Sequence, residues 1–92
     1  MTTFVIERNI PGASELTTDQ LRDIAIKSNA VVDGLGVAYT WHHSYVAGDK
    51  IYCVHETDDP ETIREHARRG GFPADLVVDV AAMIGPSTGE GR

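Results

Sequence analysis

An α+β fold, with an antiparallel four-stranded sheet carrying two helices on one face, is what this sequence predicts, and three observations predict it. Apolar and β-branched clusters at Phe4-Val5-Ile6, Ile51-Tyr52-Cys53-Val54 and Leu76-Val77-Val78 read as strands. Two stretches between such clusters carry helix start and stop signals. Ala47-Gly48-Asp49 separates two aromatic and β-branched runs, as the turn of a β-hairpin does.

The elements follow in order. Phe4-Val5-Ile6-Glu7-Arg8 is the first strand, and Pro11-Gly12 breaks it. Thr17 can cap the first helix with Gln20 three residues on, while Leu16 and Leu21 occupy staple positions. Leu21, Ile24, Ala25, Ser28, Val31, Val32 and Leu35 recur at helical spacing, which places this helix at roughly 18–33 with Gly34 and Gly36 beyond it. The hairpin strands fall near 37–45 and 50–56. Asp59-Pro60 opens a second helix that runs from Glu61 to Arg69, acidic first and basic last as the macrodipole favours, and Gly70-Gly71 stops it. Leu76 to Val80 forms the fourth strand. With right-handed crossovers the result is a ferredoxin-like βαββαβ domain over residues 1–84. The tail 85–92 has no apolar anchor and is expected to be disordered.

Composition narrows the partners. Ninety-two residues make one domain of a size that often gains core by pairing, so a homodimer is expected. Hydrophobic residues at 41% place the chain among globular proteins rather than disordered ones. A net charge of −6 argues against nucleic acid and against anionic membrane surfaces. A single cysteine makes no internal disulfide, and the N-terminal residues lack a signal-peptide pattern, so the expected setting is cytoplasmic. Neither Gly34-Leu35-Gly36 nor Gly70-Gly71 has the strand-then-helix context of a nucleotide loop, so no nucleotide cofactor is expected.

The hairpin carries three of the four histidines and the only cysteine. Alternation with Tyr45 opposite Lys50 sends Val37, Tyr39, Trp41, Tyr52 and Val54 to the helix side, together with Phe4, Ile6, Leu76, Val78 and Val80. His42, Cys53, His55, Glu7 and Asp79 then share the uncovered face, and a one-residue slip would exchange His42 for His43. Imidazole and thiolate suit nickel, copper or zinc, and Glu7 offers an oxygen ligand. His66 lies on the sheet-facing stripe of the second helix, where a histidine is either a ligand or a core residue satisfied by hydrogen bonds. The plainer reading of Cys53 is a small buried hydrophobe, and that of Glu7 with Asp79 a solvated pair.

The segments Trp41-His42-His43-Ser44-Tyr45 through Asp49-Lys50-Ile51-Tyr52-Cys53-Val54-His55-Glu56, and Ile63 through Gly70-Gly71-Phe72-Pro73-Ala74-Asp75, resemble a small single-domain family typified by a nickel-responsive, nickel-binding protein. The resemblance runs from about Trp41 to Val80. It implies a ferredoxin-like fold, a homodimer, and binding of nickel or another divalent transition metal in a sensing, buffering or stress-linked role without catalysis. The rival is a cofactor-free isomerase, cyclase or oxygenase using a pocket on the uncovered sheet face, with His42, His55 and a carboxylate moving protons. A third reading is a dimerisation module.

Overall fold

The computed structural model describes residues 1–90. Strand β1 spans Thr2–Asn9, helix α1 Thr18–Gly34, β2 Tyr39–Ala47, β3 Lys50–Thr57, α2 Pro60–Gly70 and β4 Leu76–Asp79. The four strands form one antiparallel sheet in the order β2-β3-β1-β4, the ferredoxin-like arrangement expected. Short 3-10 turns occupy Ala13–Glu15 and Pro86–Glu90. The second of these lies within the tail expected to be disordered and is exposed throughout; residues 91 and 92 of that tail lie outside the described residues. Among the described residues no helix is long and apolar enough to cross a membrane.

Local chemistry explains both helix starts, the end of α2 and the hairpin turn. Gln20 N–H donates to Thr17 Oγ1 at 3.2 Å and Thr17 N–H donates to Gln20 Oε1 at 2.9 Å, the reciprocal capping box. Asp59 Oδ1 accepts from Glu61 N–H at 2.9 Å with Pro60 beside it, and Gly71 at φ 69° ends α2 in the left-handed region. Ala47 pairs with Lys50, so the hairpin turn is only Gly48-Asp49, with Gly48 at φ 59° supplying the positive angle such a turn needs.

The core lies between the sheet and the helices. Phe4, Ile6, Ala13, Ile51, Cys53 and Ile63 form its buried cluster. Their pairing fixes which side of each strand faces inward. Phe4 stands opposite His55 and Ile6 opposite Cys53 on β3, and Ile6 opposite Val77 on β4. Because directly paired residues share a face, Cys53, His55, Val77 and Asp79 belong to the helix side. The sequence expectation for β3 and β4 is therefore inverted. Tyr52 and Val54 turn outward, as do Leu76 and Val78 at 47% and 45% exposure. The cause is that both alternating sets of these strands are apolar enough to be buried, so β1 decides, and Phe4-x-Ile6 admits only one choice.

Strand β2 adds a second effect. Its register shifts between Trp41 and His43, placing a bulge at His42. Before the bulge Tyr39 and Trp41 face the helices as expected. Beyond it Ser44 and Val46 do, and Tyr45 pairs with Tyr52 rather than Lys50. Val37, expected on the helix side, precedes the strand and is 56% exposed. His42 and His43 both end on the uncovered face, because two residues at the bulge oppose a single step of β3.

Candidate functional site

The five residues singled out as metal ligands are divided by the sheet. His42 and Glu7 lie on the uncovered face, on strands separated by β3. Glu7 is engaged by Lys50 Nζ at 3.0 Å, and its expected partner Asp79 is on the opposite face. His42 Nε2 lies 2.8 Å from Glu56 Oε1, and His43 packs edge-on against Tyr45 at 5.1 Å between ring centroids. The other three residues, Cys53, His55 and His66, are buried beneath the helices.

The buried group is a continuous polar cluster inside an apolar shell. Tyr39 Oη and His55 Nδ1 share a short hydrogen bond. His66 stacks between Tyr39 and Phe72, with centroids at 5.5 and 5.7 Å, and meets His55 edge-on at 5.1 Å. Ser28 Oγ, the buried residue of α1, shares a 3.0 Å hydrogen bond with His66 Nε2. His66 Nδ1 is buried and has no partner among the described residues. Whichever tautomer is present, one polar atom is left unmatched, a cost of about 1–3 kcal/mol.

Burial, reinforced by the charge of Arg8 and by His66, pushes His55 down to about 3. Burial and then Arg8 push His66 down to about 4, against an opposing hydrogen bond from Ser28. Burial raises the Tyr39 phenol. At neutral pH the Tyr39, His55 and His66 side chains are therefore uncharged.

Arg8 and Cys53 complete it. Arg8 Nε–H donates to Cys53 Sγ at 3.3 Å, and Arg8 Nη1–H donates to the Pro73 carbonyl at 2.6 Å. Ser44 Oγ–H also donates to Cys53 Sγ, at 3.0 Å, and itself accepts from Trp41 Nε1–H at 2.9 Å. Alternation from Phe4 and Ile6 already pointed Arg8 at the core, a signal in the sequence that its charge obscured. Ser44 was not legible, because only the bulge turns it inward.

Neutral imidazoles are the form that ligates metals, but the buried set does not suit a cation. The guanidinium beside Cys53 repels one, and Tyr39 and Ser28 already engage a nitrogen of each ring. On the uncovered face His42, His43 and Glu56 offer suitable nitrogen and oxygen donors. Among the described residues no group of three or more histidine, cysteine, aspartate or glutamate side chains is close enough to hold a metal ion. A single chain thus presents at most part of a coordination shell.

These features define a small ferredoxin-like domain with two histidines on its uncovered sheet face and a polar cluster buried under the other. The chain belongs to the SCO4226-like family, whose description is nickel responsive protein; the family model matches residues 4–80. The crystal structure of SCO4226 from Streptomyces coelicolor A3(2) has the same fold, with a TM-score of 0.72 over 89% of this chain and 99% of that one, at 24% identity. No curated protein matches the chain.

Proposed function

We propose that this protein binds nickel or a similar divalent transition metal without catalysing a reaction, in a sensing or buffering role, and that a second copy completes the site across the uncovered sheet face. The observation that carries this reading is the His42–Glu56 pair, 2.8 Å apart at the surface, on a face bearing Val5, Tyr45, Leu76 and Val78 as exposed apolar residues. An isologous dimer presents every residue twice, so one imidazole and one carboxylate per chain become two of each. That set satisfies a borderline divalent ion, and the apolar surround supplies the area needed for pairing. The description of the family as nickel responsive supports the choice of metal.

The test uses tag-free protein. Nickel titrated calorimetrically, with sedimentation measured in parallel, is expected to bind at about one ion per two chains, the stoichiometry a shared two-fold site requires. His42→Ala and Glu56→Gln are expected to abolish that binding. Nickel binding unchanged by both substitutions, or no binding at all, rejects the proposal.

A further inference from the structure

Between α1 and the sheet lies an apolar cavity of about 240 Å3. Leu21, Ile24 and Ala25 of α1 form one wall and remain only partly buried, so the helix's apolar stripe faces space that no side chain fills. Trp41 and Phe72 contribute aromatic surface. The polar groups reaching the cavity are Arg8, Ser28, Ser44, Cys53 and His55. This cavity is on the opposite side of the sheet from the uncovered face.

Arg8 is the unusual member. It is 3% exposed, yet its partners are a sulfur, a carbonyl and the Phe72 ring, whose centroid is 5.6 Å from Cζ. No carboxylate pairs with it among the described residues. A guanidinium has five N–H donors, and two are used here, which leaves Nη2 without a hydrogen bond. Buried charges are ordinarily paired, because desolvating one alone is expensive. His55 also leaves Nε2 unbonded at this cavity, since among the described residues its one hydrogen bond is through Nδ1.

We propose that this cavity is a binding site for a small apolar monocarboxylate, whose carboxylate pairs with Arg8 and whose hydrocarbon or aromatic body fills the space under α1. The charge fits a monoanion, because among the described residues Arg8 is the only lysine or arginine in the lining. A phosphate dianion would be undercompensated and would meet a mostly apolar wall. A volume of about 240 Å3 lies below the usual range of drug-sized pockets, which restricts the occupant to a small molecule. The site requires no metal and is independent of the nickel proposal.

Trp41 lines the cavity and is the chain's only tryptophan, so its fluorescence reads occupancy directly. The experiment titrates 3-phenylpropionate and 3-phenylpropanamide into the full-length protein in chelator-treated buffer. The acid is expected to change Trp41 emission saturably and to bind about tenfold or more tighter than the isosteric amide, reflecting the charge-assisted pair. Arg8→Met is expected to erase that preference. Ala25→Phe, which fills the cavity from α1 and leaves the Arg8 side chain in place, is expected to abolish binding of both while preserving the circular dichroism spectrum, and decides the matter if Arg8→Met does not fold. Equal affinity for acid and amide, no saturable signal, or undiminished binding to Ala25→Phe overturns the proposal.

Discussion

Acidification from pH 7.5 to 5.0 is expected to cost this domain about 4 kcal/mol, through His55 and His66. Their folded values of about 3 and about 4 lie far below the 6.5 of a solvated imidazole. Both are depressed chiefly by burial, so the folded protein holds two neutral rings while the unfolded chain takes up two protons as the pH falls through 6.5. The unfolded state thus binds more protons, and stability falls as the pH falls. The contribution is intact above about 6.5 and is lost progressively toward the folded values. Each ring contributes about 2 kcal/mol to the loss at pH 5. Glu65, held down to about 2 by hydrogen bonds from Arg68 and Arg69, acts only below its ordinary carboxylate range and does not blur this window. The assay is urea unfolding followed by Trp41 emission. With a slope of about 1 kcal/mol per molar urea, the midpoint drops by about 4 M, or the protein is already unfolded at pH 5 if its total stability is small. His66→Phe keeps an aromatic ring between Tyr39 and Phe72 and is expected to halve the pH sensitivity. A midpoint that moves by less than about 1 M between the two pH values refutes the argument that these rings are held neutral by burial.

Two further outcomes test the packing and the helix start. Gly70→Ala places a Cβ 2.3 Å from Phe72 Cε2, so the ring must leave its stack on His66; a loss of about 1–3 kcal/mol is expected by thermal or urea unfolding. Thr17→Ala removes the acceptor for Gln20 N–H at an exposed cap, and about 1 kcal/mol of stability should go with it, measured the same way, while Trp41 emission of the folded protein stays unchanged.

Much of the fold was legible because its signals are local. The Thr17-x-x-Gln20 cap, Asp59-Pro60, and Gly71 after α2 act through hydrogen bonds and backbone angles within a few residues, and each lies where the sequence placed it. The candidate site was only partly legible. His42 emerged on the uncovered face as expected, but the bulge that brought His43 beside it depends on two strands at once. Glu56, the partner of His42, was not singled out, because nothing in β3 alone marks which of its two sides meets solvent.

The sequence by itself determined the element order, the helix boundaries and the inward direction of Phe4 and Ile6, since caps, turns and one unambiguous alternation suffice for those. Only the tertiary structure decided that Cys53 and His55 lie under the helices with His66, Tyr39 and Arg8. Strand β3 reads as apolar on both of its faces, so its parity is fixed by pairing to β1, a strand more than 40 positions away in the chain, as where Ile6 stands opposite Cys53. A side chain's neighbours in a sheet are set by register, and register is a property of two strands rather than one.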